Sequence, residues 1–182
     1  MEHLYYLVAQ LPAISVNDDS SQKIPLTVGY FKDLCSRFMS EKSAKLAEKL
    51  TLEPPVEPVS TGSVFLDEWY EKERCLRLAL AQIRALKMKK DIKDLPSASD
   101  GESIQAARTA TGMDSPLAAE QYLNQYRLGI LDRISPLDNF SVDAVYSYGL
   151  KLMLAERMKK FNKDEGLASY HKIYDEILGE KK

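Results

Sequence analysis

Hydrophobic positions along this chain recur at intervals of three and four residues, the period of an amphipathic helix. The longest such run, from Val64 to Lys90, contains neither glycine nor proline. At about 100° per residue, Phe65, Trp69, Leu76, Ala79, Leu80, Ile83 and Leu86 share one stripe, with a charged flank opposite. Burying Trp69, Leu76, Leu80 and Ile83 contributes about 6–12 kcal/mol before chain entropy is subtracted. Asp67 and Glu68 stand in the first turn and Lys87, Lys89 and Lys90 in the last, so charge complements the helix dipole at both ends. The rest of the chain is expected to pack against this element.

The segment Leu4 to Leu11 is apolar on both sides, which suits a buried strand or an extended segment tucked into a helical bundle; extended is favoured. Asn17 to Ser21 reads as a polar turn. Pro25 and Thr27 then introduce a helix carrying Phe31, Leu34, Cys35 and Phe38 and ending near Ser40. A short piece from Ser43 to Leu50 places Leu46, Ala47 and Leu50 on one side, before Thr51 to Ser63, with Pro54, Pro55 and Pro58, interrupts regular structure as a stiff surface connection. Past the long helix, the small and polar residues from Asp91 to Ser103 predict an exposed loop.

A short helix is expected from Glu102 to Thr111, ended by Gly112. Ser115 and Pro116 then form a cap and first-turn pair for a helix with Ala119, Tyr122, Leu123, Tyr126, Ile130 and Ile134 on one face. Ser141 caps the next, whose stripe is Val142, Val145, Tyr146, Gly149, Leu152 and Met153. Glycine costs about 1 kcal/mol relative to alanine inside a helix, so Gly149 points to a close helix crossing. Glu156 continues that stripe, so either the face reaches solvent there, the favoured reading, or Glu156 is paired, for example with an arginine. Asn162 and Glu165 read as a capping pair for a last helix with Leu167, Tyr170, Tyr174, Ile177 and Leu178 on its apolar side, closed by Gly179. The fold class is therefore all-α: an antiparallel helical bundle with a short extended or strand-like N-terminal segment. At 182 residues it forms a single domain over 1–182, with a possible subdivision into 1–63 and a C-terminal bundle, 64–182.

Composition narrows the function classes. Hydrophobic residues make up 45% and charged residues 29%, a globular balance, and the net charge of -2 leaves no general attraction for a phosphate backbone, so nucleic acid is not an expected partner. The N-terminus carries an acidic residue where an export signal has basic ones, and no apolar run approaches a bilayer span, so a cytoplasmic chain without membrane insertion is expected. Cys35 and Cys75 fall within or beside apolar stripes, as small hydrophobes do. His3 and His171 lie at opposite ends of the chain, away from carboxylates at metal-ligand spacing. A glycine-rich phosphate loop, a GxSxG elbow and a CxxC pair are all absent. No catalytic, cofactor-binding or metal-binding residue is assigned, and a non-enzyme is expected. Arg74, Arg77 and Arg84 form a basic flank of the long helix, which reads as a solvated face with local ion pairs such as Glu73–Arg77 or as a surface for an acidic partner.

Three ordered stretches carry a resemblance. They are Trp69-Tyr70 with Glu73, Leu76-Arg77, Leu80 and Arg84; Pro116 to Glu120 leading to Tyr126-Arg127; and Phe140 to Val145 with Tyr148, Lys151-Leu152, Glu156-Arg157 and Gly166. Together with Tyr5 to Ala9 and Leu11-Pro12, they resemble an uncharacterised bacterial family encoded beside V-type (A-type) ATPase subunits. That family is in turn similar to the central-stalk adaptor of the V/A-type ATPase, a funnel-like helical protein of about twice this length between the rotor shaft and the membrane ring. The resemblance implies a non-catalytic coupling protein without cofactor. Its partners would be the central-stalk and membrane-ring subunits, and it would sit in the cytoplasm, peripheral to the membrane through the complex. On that reading Arg77, Arg84, Lys151, Arg157 and Glu156 are interface candidates, and Trp69, Leu76, Leu80, Ile83, Tyr148 and Gly149 are packing determinants. A free-standing helical regulator or assembly factor without catalytic activity is the alternative.

Overall fold

Thr27, Ser40, Ser63, Asp100, Ser115 and Ser141 each accept a hydrogen bond from the backbone N–H three residues on, and each starts a helix. Such caps satisfy one of the donors that a helix N-terminus leaves without an internal partner. In a computed structural model that describes residues 4–14, 24–58, 60–90, 96, 98–160 and 163–179, the fold is all-α, with no strand among the described residues. The helices are α1 (Tyr5–Val8), α2 (Val28–Phe38), α3 (Glu41–Glu48), α4 (Val64–Lys87), α5 (Gly101–Thr111), α6 (Pro116–Ile134), α7 (Val142–Lys159) and α8 (Lys163–Leu178).

Helix α4 runs through two apolar clusters. Its first half, with Phe65, Leu66, Trp69 and Tyr70, joins α1, α2, α3, the second half of α6 and α7 around Phe31, Ile130, Leu150 and Leu154. Its second half packs Leu76, Ala79 and Leu80 on Ala106, Ala107 and Ala110 of α5 and on Leu123 of α6. The alanine row lets α5 approach α4 closely. Trp69 and Leu76 are fully buried, Leu80 is nearly so and Ile83 is partly covered at the edge of the second cluster. The indole N–H of Trp69 has no hydrogen-bond partner among the described residues, so its contribution is ring packing.

Gly149 sits where α7 crosses α2. A Cβ there would lie 2.6 Å from the Phe31 ring and 3.0 Å from a Leu50 methyl, which is why only a hydrogen fits. One turn away, Tyr146 donates from its hydroxyl to the Ser43 carbonyl at 3.0 Å, and Tyr148 donates to the Pro12 carbonyl at 2.8 Å with its ring 5.8 Å from that of Phe31. The second and third helices and the N-terminal segment are thus assembled on α7.

Several expectations change. The segment Leu4 to Leu11 is not extended: Leu4 donates its backbone N–H to the Phe140 carbonyl at 2.9 Å, and the chain then coils into the single turn α1. Coiling puts Leu4 and Leu7, three residues apart, both into the core while Tyr5 and Tyr6 face outward; a strand would bury alternate residues instead. Phe38 is exposed, because α2 ends there and Met39, in extended conformation, turns inward in its place. Leu86 is exposed too, about 80° from the centre of the α4 stripe. The long helix stops at Lys87 rather than Lys90, where Lys89 adopts φ 54°. Ser103, where the expected loop and the expected short helix overlap, belongs to the helix: it is fully buried in the first turn of α5, where its hydroxyl donates to Asp100 at 2.6 Å. The apolar side of α8 is present but uncovered: Leu167, Tyr170, Tyr174, Ile177 and Leu178 are all exposed, and Gly179 takes φ 69° just past the helix. The polar turn at Asn17–Ser21, His3 and the Asn162 cap lie outside the described residues.

Replacing Gly149 by alanine is expected to lower stability by about 1–3 kcal/mol despite alanine's better helix propensity. Phe31→Leu in the same chain should recover part of that loss. Denaturant midpoints of the two single variants and the double variant test this. Equal stability of Gly149→Ala and the parent would show that the crossing has room.

Candidate functional site

Charged side chains are few in the interior of a fold because desolvation opposes them, so a buried carboxylate marks a position under constraint. Glu73, 1% exposed, is such a group, located on α4 between the two apolar clusters. Arg127 of α6, also buried, grips it in a two-point contact: Nε donates to Oε2 at 2.8 Å and Nη2 to Oε1 at 2.9 Å. Arg77, one turn along α4, donates from Nε to Oε1 at 2.8 Å. The amide oxygen of Asn124 accepts from Nη1 of Arg127 at 3.4 Å. Two guanidinium groups therefore surround one carboxylate, and the geometry fixes the register of α4 against α6.

The basic flank of α4 largely faces its own chain. Arg74 pairs with Glu71 at 2.6 Å and donates to the Pro55 carbonyl at 3.2 Å, and Arg77 reaches Glu53 at 3.5 Å. These arginines hold the proline-rich connection against the helix. Arg84 differs: it is exposed, and among the described residues it makes no salt bridge. It stands with Lys87, which donates to the Thr111 carbonyl, at the rim of a 320 Å³ groove floored by Leu80, Met113, Ala119 and Leu123 where α4, α5 and α6 meet.

The other interface candidates also have partners. Lys151 pairs with Asp132 at 2.6 Å and Arg157 with Glu120 at 3.1 Å, each tying α7 to α6. Glu156 is half-buried and paired, with a backbone donor rather than an arginine: it accepts the Val28 N–H at 2.9 Å. Helix α2 has no acidic residue in its first turn, and Glu156 supplies the missing carboxylate from 128 residues away. At the start of α4, Ser63 both caps the helix and donates to Asp143 of α7 at 2.6 Å.

A larger cavity of 610 Å³ opens between the N-terminal segment and α7, with Leu11, Ile14, Phe140, Tyr148 and Lys151 in its wall. Four of its polar side chains are engaged with the protein. The Tyr148 hydroxyl donates to Pro12, Lys151 is paired, and Ser135 and Ser147 share a hydrogen bond at 2.6 Å. Burial pushes the Tyr148 phenol up to about 12, so it stays a neutral donor. Cys35 and Cys75 are free and buried, and burial pushes the Cys35 thiol up to about 12, far from a reactive thiolate. Among the described residues no group of three or more His, Cys, Asp or Glu side chains could hold a metal ion, and no helix is long and apolar enough to cross a membrane. His171, on α8, makes an edge contact with Tyr170 at 5.7 Å. The polar chemistry of the body thus goes into helix-to-helix contacts. Its buried centre, Glu73 with Arg127, leaves no trace in the helical period, because only tertiary structure pairs residues 54 positions apart.

Comparison with known proteins finds that residues 101–181, α5 through α8, are similar to a family described as Protein of unknown function (DUF2764). No curated protein and no solved structure matches the chain.

Breaking the central pair from one side, by Glu73→Ala or Arg127→Ala, is expected to cost about 3–5 kcal/mol, because each leaves a buried charge uncompensated. Replacing both, as Glu73→Leu with Arg127→Met, should cost less than the sum. A double-variant cycle read by urea unfolding measures the coupling, and additive losses would mean that the two groups do not act as a pair. A second expectation concerns acid. The Ser103 hydroxyl, ahead of the other contacts, holds the Asp100 carboxyl below its ordinary value of 3.8. A depressed pKa in the folded state stabilises the fold above about pH 4, and that contribution is lost as the pH falls through the folded value. Asp100→Asn should therefore flatten the acid limb of the stability curve, and an unchanged acid limb would contradict it.

Proposed function

We propose that this chain is a non-catalytic helical adaptor of a V/A-type ATPase, coupling the central rotor stalk to the membrane ring. The observation that carries the non-catalytic, mechanical half of the reading is the Glu73–Arg127–Arg77 cluster. Its ionised groups lie at the centre of the fold and are consumed in locking helices to one another, rather than converging on a cavity. An adaptor between a rotating shaft and a ring transmits torque, and close-packed helices with locked register resist twisting. The lateral ties Lys151–Asp132, Arg157–Glu120 and Arg133–Glu102 act in the same sense. The partner half of the reading rests on the resemblance to the family encoded beside ATPase subunits. Of the three stretches that carry that resemblance, the second and third lie within the segment similar to the family of unknown function.

Internal pairing limits which interface residues can be probed by substitution. Reversing the charge of Arg77 would leave Glu73 facing a repulsive neighbour inside the protein, so loss of binding by that variant would report unfolding. The clean test is recovery of the tagged chain from its own cells with quantification of what accompanies it. Stalk and catalytic ATPase subunits in fixed, near-equal ratio to the chain are the expected result. Traces that vanish from the mature enzyme would replace this reading with that of an assembly factor, and recovery without any ATPase protein would replace it with that of a free-standing regulator.

A further inference from the structure

The 610 Å³ cavity between the N-terminal segment and α7 has its polarity sorted along its length. Two hydrogen bonds set the direction: the Leu4 N–H reaches the Phe140 carbonyl at 2.9 Å, and the Tyr148 hydroxyl reaches the Pro12 carbonyl at 2.8 Å. Residues 4–12 therefore run alongside 140–148, with the cavity between them. Near Phe140 the wall is formed by Val8, Pro136, Ala144 and Val145; further along α7 it is formed by Ser147, Tyr148 and Lys151, joined by Ser135. Among the described residues no carboxylate is part of this wall. The hydroxyls at the polar end have no proton to spare. Ser135 donates to the Leu131 carbonyl at 2.6 Å, so Ser147 is the donor in the bond those two serines share, and Tyr148 donates to Pro12. Lys151 keeps free donors: of its three N–H groups, Asp132 accepts one at 2.6 Å. Asp132 is 68% exposed and outside the wall, so the charge facing the cavity is that of the ammonium.

We propose that this cavity binds a single-chain carboxylate amphiphile, with its head on Lys151 and its apolar body toward Phe140. An ammonium with free donors selects an anionic acceptor, and hydroxyls whose protons are committed leave that contact to Lys151. The existing pair does not prevent it, because an ion pair with one partner in solvent is weak. Orientation follows from charge. At the Phe140 end the Asp138 carboxylate, which accepts the Phe140 N–H at 2.9 Å, opposes a second anion, while the wall there offers apolar contact. From Ala144 to Lys151 the wall extends about 10 Å at the helical rise, the length of a medium-chain unbranched body. The volume lies within the roughly 300–1,000 Å³ of small-molecule sites.

Isothermal titration of the full chain with octanoate, kept below its micellar concentration, tests this, with octanol as the uncharged control. The expected result is one saturable site per chain that prefers octanoate to octanol. Methyl NMR of the unaltered chain should show Val8 and Val145 shifting on titration. Lys151→Met should raise the octanoate dissociation constant about tenfold or more and leave that of octanol unchanged. Ala144→Phe, which places a ring in the apolar end, should abolish binding of both with melting temperature unchanged. Should that variant fail to fold, the methyl shifts of the unaltered chain locate the site by themselves. Absence of saturable octanoate binding overturns the proposal. So do shifts confined to α8, which would place octanoate on its exposed apolar stripe, and equal affinity for octanol or indifference to Lys151→Met, either of which would mean that Lys151 does not select the ligand.

Discussion

A carboxylate with 1% of its surface exposed is unfavourable unless fully compensated, and the arrangement of this protein follows from how Glu73 is compensated. Its two-point contact with Arg127 sets α6 against α4 at one register. With that register, Leu123 reaches the α4–α5 cluster, while Leu128, Ile130 and Leu131 reach the larger cluster built on α7. The polar pair sits at the seam between these cores, where a slip of one turn would expose apolar surface in both. Arg77 extends the constraint outward, since the same guanidinium that touches Glu73 also reaches Glu53. The connection from Thr51 onward is thereby held to the helix it precedes.

The remaining ties share a principle: groups that a helix leaves without partners are satisfied by another helix. Val28 at the start of α2 finds its acceptor in Glu156 of α7, and Ser63 at the start of α4 bonds to Asp143 of α7. Close approach at Gly149 makes the first of these possible, because α2 can reach the carboxylate only when its Phe31 ring lies directly on the α7 backbone. These contacts make the body from α1 to α7 a single interlocked unit. Helix α8 stands apart, with an apolar face as regular as those inside. Among the described residues, the polar side chains of the body are thus largely engaged with one another, whereas every described side chain of α8 is exposed.

How far this was legible in the amino-acid order depends on the distance over which each signal acts. Caps, helical period and chain breakers operate within one or two turns, and there the sequence was informative: Thr27, Ser115 and Ser141 start helices where expected, α4 begins at Val64, and the long stripe from Phe65 to Ile83 is buried or half-buried as its period required. Gly149 was legible for a similar reason, since a glycine inside a helix has a local cost that only a close neighbour explains. Arg77 was legible only in part, because its bond to Glu73 is one turn long and its bond to Glu53 crosses a loop.

What the sequence by itself determined was the all-α class and the position of nearly every helix, because hydrogen bonding and side-chain period within a helix are settled by neighbouring residues. Tertiary structure alone decided that Glu73 is central rather than part of a solvated flank, that Glu156 caps α2, that Leu4 and Leu7 enter the core from one turn of helix, and that the stripe on α8 is left uncovered. Each of these depends on which surface arrives from elsewhere in the chain, at separations as large as 128 residues. A periodic pattern states that a face is suited to burial; only the packed molecule states against what.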